Sequence, residues 1–97
     1  MSARKEDFDE FVFFLNENAN FFNAPYGIIE STIEGKYPGS VVAYTVTFGQ
    51  ARTLDATVKV FSDKKIVLES RGYYERFNGE YKSIQDVIAL FLEYIHP

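Results

Sequence analysis

Apolar and polar residues alternate along three neighbouring stretches in the middle of the chain, between Val41 and Ser70. Successive side chains of a strand point to opposite faces of a sheet, so this alternation predicts half-buried strands. The turn sequences Gly49-Gln50 and Ser62-Asp63-Lys64 separate the stretches. Connections this short join antiparallel neighbours. The predicted core face of these strands carries Val42, Tyr44, Val46, Leu54, Val58, Val60, Ile66 and Leu68.

A first strand is predicted before these three, over residues 26–36. There Ile29 and Ile33 alternate with Glu30 and Glu34, and the acidic residues indicate a solvated side. The following Tyr37-Pro38-Gly39 predicts a turn, because proline suits the second position of a β-turn and glycine a position with positive φ. After the central strands, residues 73–77 are predicted to extend the last strand or to form a short additional one.

Two segments have helical periodicity and flank the predicted sheet. The first covers residues 6–19 and ends in the asparagine-rich run 16–20, which is poor helix material. The second begins after Ser83, and Ser83 with Asp86 resembles a capping box. Its apolar stripe comprises Ile84, Val87, Ile88, Phe91, Leu92 and Ile95.

These elements predict an α+β fold in one domain spanning residues 1–97, with residues 1–5 frayed. We expect an N-terminal helix, a four-stranded antiparallel β-meander and a C-terminal helix, with both helices on one face of the sheet. A chain of 97 residues, 46% hydrophobic and 25% charged, has the size and composition of a single globular domain.

Charge and composition narrow the class of function. The net charge of −4 argues against nucleic-acid binding, which needs a basic surface. The chain has no cysteine, which fits a reducing compartment. It has neither the apolar core of a signal peptide at its start nor a stretch long enough to span a membrane. We therefore expect a small, acidic, cytoplasmic protein that does not insert into membranes.

Little in the sequence favours catalysis. The chain has one histidine, His96, and it is the penultimate residue. A nucleophile therefore lacks its usual activating base, and zinc or haem lacks its usual ligand. Paired carboxylates such as Glu30 with Glu34, or Glu69 with Glu75, could act as acid and base, but they are also typical of a solvated surface. The sequence predicts a protein that is not an enzyme and has no metal, cofactor or catalytic residue.

Aromatic and basic residues are interleaved after the last central strand, at Arg71, Tyr73, Tyr74, Arg76 and Tyr81. Tyrosine and arginine are enriched at the energetic centres of protein interfaces, so these residues are candidates for binding a partner protein. The same pattern can stack nucleic-acid bases, although the negative charge opposes this. Some of these tyrosines could also simply pack under the C-terminal helix.

The chain also holds more phenylalanine than one small core readily buries, with ten in 97 residues. Phe13 and Phe14 lie outside the apolar stripe of the first helix and are predicted to form an exposed surface. A homodimer would cover such a surface. Alternatively, the surplus rings could line a pocket between helices and sheet for an apolar or aromatic ligand.

The order helix, strands, helix resembles that of the phosphotyrosine-binding Src-homology domains and of small acidic dimeric secretion chaperones. The first family needs a buried arginine on its second strand, and residues 41–49 contain none. The resemblance is therefore one of topology, and fold alone does not imply function. The sequence predicts a protein-interaction module, a small regulator or inhibitor acting by surface docking. The alternative is a small-molecule binding module with an aromatic pocket.

Overall fold

A computed structural model describes residues 5–22, 28–49, 56–62, 65–70 and 72–95. Helix α1 spans Lys5–Glu17, and a short helix α2 spans Ala19–Phe22. The strands are β1 (Ile28–Glu34), β2 (Val41–Phe48), β3 (Ala56–Ser62) and β4 (Lys65–Ser70). A 3-10 helix, Gly72–Phe77, precedes the short strand β5 (Gly79–Tyr81), and helix α3 covers Ile84–Ile95.

The five strands form one sheet in the order β1-β2-β3-β4-β5, and every neighbouring pair is antiparallel. This confirms the predicted α+β fold, with a helix before the meander, a helix after it and both helices on one sheet face. The sheet has one strand more than predicted, because Gly79–Tyr81 pairs with β4.

Residues 72–77 form a 3-10 helix rather than the predicted strand. The side chain of Asn78 explains how this segment leaves the sheet. Its Oδ1 accepts hydrogen bonds from the backbone N–H of Ser70 at 2.6 Å and from Ser70 Oγ at 2.5 Å, while its Nδ2 donates to the Ser70 carbonyl at 2.9 Å. The amide therefore supplies bonds that a neighbouring strand would otherwise make, and the intervening chain loops out.

The turn between β1 and β2 follows the prediction. The N–H of Ser40 donates to the Tyr37 carbonyl at 3.1 Å, and Gly39 has a φ of 82°. The N–H of Gly35 donates to the Ser40 carbonyl at 3.0 Å and closes the base of the turn. A Cβ at Gly35 would overlap the Ser40 hydroxyl, so glycine allows the two chain segments to approach each other.

Helix α1 ends at Glu17 within the asparagine-rich run, as its composition predicts. Nδ2 of Asn18 donates to the Phe14 carbonyl, and Nδ2 of Asn16 donates to the Val12 carbonyl, both at 2.9 Å. These side chains add hydrogen bonds to carbonyls of the last helical turns, and the Phe14 carbonyl also accepts the Asn18 backbone N–H at 3.2 Å. At the start of α3, the N–H of Asp86 donates to Ser83 Oγ at 3.2 Å, so Ser83 caps the helix as predicted.

The core lies between the two long helices and one face of the sheet. Aromatic rings fill its centre: the Phe11 centroid lies 5.4 Å from that of Phe48 and 6.3 Å from that of Phe91, and the last two are 5.4 Å apart. The other buried core residues on helices and strands are Phe8, Phe14, Leu15, Val46, Ala56, Val58, Val60, Ile66, Leu68, Ile84 and Val87. Most of the predicted core face is thus buried.

Two residues of the predicted core face, Val42 and Tyr44, are not fully buried. Val42 is 42% exposed, because Ile33 pairs with Ala43 and Glu34 with Val41, which leaves Val42 as the extra residue of a bulge beyond the helix layer. Tyr44 is half-buried and packs against Phe8, with ring centroids 5.5 Å apart. Leu54 lies outside the described residues.

Candidate protein-interaction surface

The predicted tyrosine and arginine residues fall on the 3-10 helix and β5, at the β5 end of the sheet. The backbone of Tyr73 and Tyr74 belongs to the 3-10 helix, and their side chains lie outside the described part of the structure. Arg71 lies outside the described residues altogether. Arg76 is exposed, and its guanidinium carbon sits 4.8 Å from the centroid of the Phe77 ring.

Tyr81 has a structural role in this region. Its hydroxyl donates a hydrogen bond to the Phe77 carbonyl, and its ring packs against the core. Burial raises the pKa of the Tyr81 phenol above its ordinary value of 10.0. The Phe77 ring in turn contacts Phe91 of α3, with centroids 5.5 Å apart. Tyr81 therefore anchors the end of the 3-10 helix, and its hydroxyl already has an acceptor.

The two phenylalanines predicted to be exposed on α1 differ from each other. Phe13 is 65% exposed, as expected. The prediction for Phe14 is wrong, because Phe14 is only 8% exposed and its centroid lies 5.9 Å from that of Phe11. Phe14 stands three residues after Phe11, so both point to the same side of the helix. The core therefore buries more phenylalanine rings than the sequence suggested, and Phe13 is the strongly exposed phenylalanine of α1.

The structure places most exposed apolar surface elsewhere, on the β1–β2 hairpin. Among the described residues, six large hydrophobic side chains are strongly exposed. Phe13 and Leu92 are on the helices, and the other four belong to the hairpin: Ile29 (52%), Ile33 (38%), Tyr37 (70%) and Val42 (42%). Clusters of exposed apolar side chains typically mark interaction sites. The hairpin is therefore the strongest candidate surface in the described structure.

The apolar side chains of β1 stay uncovered because the helices lie on the other face of the sheet, mainly over the neighbouring strands. Helix α1 contacts β2 and β3. Every residue of β1 after Ile28 is exposed. On the helix side of the sheet, β1 carries Glu30, Thr32 and Glu34, which are suited to solvent rather than to a helix. Ile29 and Ile33 project from the opposite side, which we call the open face.

The open face changes in character from one end of the sheet to the other. One row of cross-strand partners runs from Ile29 through Thr47 and Thr57 to Glu69. The two threonine hydroxyls are hydrogen-bonded at 3.0 Å. At the far end, Lys59 and Glu69 form an ion pair at 2.9 Å. The face therefore carries paired polar and charged side chains over β3 and β4, together with Val67, and exposed isoleucines along β1.

The helix side of the hairpin is concave. An open groove of about 390 Å³ lies between the start of α1 and β1, and its lining includes Lys5, Glu30 and Tyr44. A second groove of about 550 Å³ shares Tyr44 and extends to Val42 and the 35–40 turn. A hydrogen bond with Asp9 raises the pKa of Lys5, and Glu30 adds a weaker attraction. The hairpin thus offers apolar side chains beside paired charges.

Sequence reasoning missed this surface because it treated β1 as an ordinary solvated strand. One signal could have revealed it. Glu30 and Glu34 on one face argue against a helix over β1, and the isoleucines on the other face then have no cover either. What the alternation alone does not show is that β1 lies at the edge of the sheet.

Neither a metal site nor a membrane helix emerges from the described residues. No three histidine, cysteine, aspartate or glutamate side chains in that part of the chain are placed to bind one metal ion. None of its helices is both long and apolar enough to cross a membrane.

No protein-family model matches the chain, and comparisons with curated proteins and with solved structures found no significant similarity.

Proposed function

We propose that this chain is a non-enzymatic protein-interaction module that binds a partner protein through the β1–β2 hairpin. The observation that carries this proposal is the concentration of exposed apolar side chains on one hairpin, beside two open grooves. Tyr37 at the tip of the turn is the most exposed of these side chains. Tyrosine is among the residues most enriched at the energetic centres of interfaces, so Tyr37 is the principal anchor of the proposed contact.

The concave side of the hairpin suits a protein partner rather than a small ligand. Both grooves are open to solvent, and the one beside α1 combines Phe8 and Tyr44 with the charged Lys5 and Glu30. An apolar centre with a polar rim is the usual composition of a protein interface. Between the helices and the sheet, where a ligand pocket was the alternative, Phe11, Phe48 and Phe91 are in mutual ring contact. A groove of about 300 Å³ lies between the ends of α1 and α3, where Phe21 and Ile95 line it, but it is open to solvent and not enclosed.

A module of this kind acts by occupying a surface on its partner, as a regulator or an inhibitor does. The tyrosine segment at the opposite end of the sheet, with Arg76 exposed, is the competing location for the contact. The two locations are separated by the full width of the sheet. Substitutions at one location should therefore not disturb the other directly, and the two can be tested against each other.

The test is affinity capture from a lysate of the source organism, followed by titration of the purified partner by calorimetry. Three baits are compared: the wild-type chain, a hairpin variant carrying Tyr37→Ala and Val42→Asp, and a segment variant carrying Tyr74→Ala and Arg76→Ala. We expect the hairpin variant to lose affinity by about tenfold or more, since a buried tyrosine anchor contributes at least that much.

The segment variant is expected to bind as the wild type does. Unchanged binding by the hairpin variant would contradict the proposed site, and loss of binding only in the segment variant would move the site to residues 71–81. If no protein is retained by the wild type at its cellular concentration, the proposed function itself is wrong. Circular dichroism of each variant controls for unfolding.

A further inference from the structure

We infer that β1 pairs with β1 of a second copy of this chain, in a two-fold antiparallel register centred on Ser31, so that two sheets join into one of ten strands. This inference deepens the proposed function, on which it rests for the hairpin being an interaction surface. It names the occupant of the β1 edge and leaves the turn and grooves to another partner.

The first step is that β1 is a long and unprotected edge. It has seven residues and pairs with β2 on one side, and no described strand lies on its other side. Along such an edge, the N–H and C=O groups of every second residue point away from the sheet and can pair with another strand. Among the described helices, α1 makes its main sheet contacts with β2 and β3, and an open groove separates its start from β1.

The second step is that β1 is complementary to itself. Ser31 is the middle residue of Ile28–Glu34, so a two-fold axis through it pairs all seven residues with their counterparts. Ile29 then lies opposite Ile33 of the second copy, and the pair occurs twice. All four isoleucines project from the open face, which is continuous across the junction, and directly opposed apolar residues stabilise strand pairs.

The third step is that the charges select this register. Residues that oppose each other across an antiparallel pair share a face. A two-fold axis perpendicular to the sheet therefore lies midway between the two copies of one residue, and that residue defines the centre of the register. Only the registers centred on Glu30, Ser31 and Thr32 pair five or more residues of each strand. In the register centred on Glu30, the two copies of Glu30 oppose each other. In the register centred on Thr32, Glu30 of each copy opposes Glu34 of the other. Like charges directly opposite each other destabilise a strand pair.

In the Ser31-centred register, Glu30 faces Thr32 of the second copy and Glu34 faces Ile28. The glutamates of the two copies are then diagonal neighbours, about 7–8 Å apart. They are exposed to water, and this separation is close to the Debye length of about 8–10 Å at ordinary salt, so their repulsion is weakened but not abolished. Each Glu30 also has Lys5 of its own chain nearby. Glutamates are directly opposed only in the two alternative registers, so the charge pattern disfavours those registers more than this one.

A second copy also fits the composition of the open face better than an unrelated strand does. The face carries the Lys59–Glu69 ion pair at the β3–β4 end, and its most exposed apolar side chains, Ile29 and Ile33, belong to β1. Two copies related by the axis bring their apolar margins together and leave their charged ends outward. Symmetric dimers are the commonest assemblies, and a self-complementary patch is what their interfaces require.

The absence of cysteine makes the register directly measurable. Opposed residues of antiparallel strands have Cα atoms about 4.5–5.5 Å apart, within the range that a disulfide spans. A Ser31→Cys chain should therefore form a covalent dimer under mild oxidation. Ile29→Cys should not, since its two copies would be about 13 Å apart, four residues along the strand. A mixture of Ile29→Cys and Ile33→Cys should form a mixed covalent dimer.

A charge exchange tests the same register without oxidation, with light scattering across a concentration series as the assay. Ile29→Lys or Ile33→Glu alone should weaken the dimer by about tenfold or more, because each change disrupts two isoleucine pairs. Mixing the two single variants should restore a dimer, since the introduced lysine of one chain then faces the introduced glutamate of the other, while the second pair remains isoleucine. Leu92→Lys, a similar change at an exposed residue of α3, is the control and should leave the dimer unchanged.

The inference is overturned if the wild-type chain stays monomeric throughout the series, if Ile29→Lys leaves a wild-type dimer intact, or if Ile29→Cys crosslinks as readily as Ser31→Cys. A monomer that still captures a partner through Tyr37 would overturn the dimer and leave the proposed function standing. A dimer with the expected register that retains no other protein would support the inferred pairing and overturn the proposed function.

Discussion

Replacement of Phe11 by alanine tests whether the ring cluster between α1, α3 and β2 holds the fold together. Phe11 is fully buried, and its ring contacts Phe14, Phe48 and Phe91 at centroid distances of 5.9, 5.4 and 6.3 Å. Removing a buried phenylalanine ring costs about 3–5 kcal/mol, through lost burial and the cavity left behind. A domain of this length has a total stability of about 5–15 kcal/mol. The change is therefore expected to remove a large part of the stability.

The assay is urea unfolding followed by circular dichroism, with every variant at the same low protein concentration so that association does not differ. With a slope of about 1 kcal/mol per molar urea, we expect the midpoint of Phe11→Ala to fall by roughly 3 M or more. If the remaining stability is too small, the variant will be unfolded without urea, which agrees with the same reasoning.

Phe13→Ala is the matched control, because it makes the same chemical change two residues away on the same helix. Phe13 is 65% exposed, and a surface substitution of this kind changes stability by about 0.5 kcal/mol or less. Two results would refute the reasoning. One is a loss below about 1 kcal/mol for Phe11→Ala. The other is an equal loss for both variants, which would show that Phe13 is buried in solution.

Three further predictions concern local features. Ser83→Ala removes the hydroxyl that accepts the Asp86 N–H and should cost about 1 kcal/mol in urea unfolding, whereas Ser83→Asp should cost much less; equal losses would contradict the cap. Asn78→Ala removes the amide that bonds Ser70 and should cost about 1–2 kcal/mol, with faster hydrogen exchange at the Ser70 amide; unchanged exchange would show that the bond contributes nothing. Burial raises the pKa of Tyr81 above 10.0, because the folded state favours the neutral phenol. The resulting stabilisation is fully present below pH 10.0 and is lost as the pH rises through the folded-state pKa. Below pH 10.0 the stability difference between wild type and Tyr81→Phe should be constant; above it the wild type should lose stability faster, and parallel curves would contradict the shift.

Local sequence patterns predicted the elements well where the physics is itself local. The stripe of α3 and its Ser83 cap depend on spacings of three and four residues, and both are present. The turn after β1 depends on Gly39 adopting a positive φ, and it does so. Residues 72–77, which were predicted as a strand, are held in a 3-10 helix by Asn78, whose side chain bonds Ser70 eight residues earlier. A pattern of neighbouring residues does not contain that contact.

The candidate surface was harder to predict, because exposure depends on what lies above a residue. Phe13 and Phe14 are adjacent and chemically identical, yet one is exposed and the other is buried against Phe11. The hairpin residues show the opposite outcome. Ile29 and Ile33 alternate as core residues do, but they project from the face of the sheet opposite the helices. The proposed roles of Tyr73, Tyr74 and Arg71 in binding stay predictions.

The sequence by itself determined the period of each segment, the turn and cap chemistry, and hence an antiparallel sheet between two helices. Those features follow from backbone geometry and from contacts within a few residues. Only the tertiary structure decided that β1 is an edge and that the helix layer ends over β2. Periodicity assigns each side chain to a face, but whether that face is covered depends on segments distant in the chain, which sequence spacing does not encode.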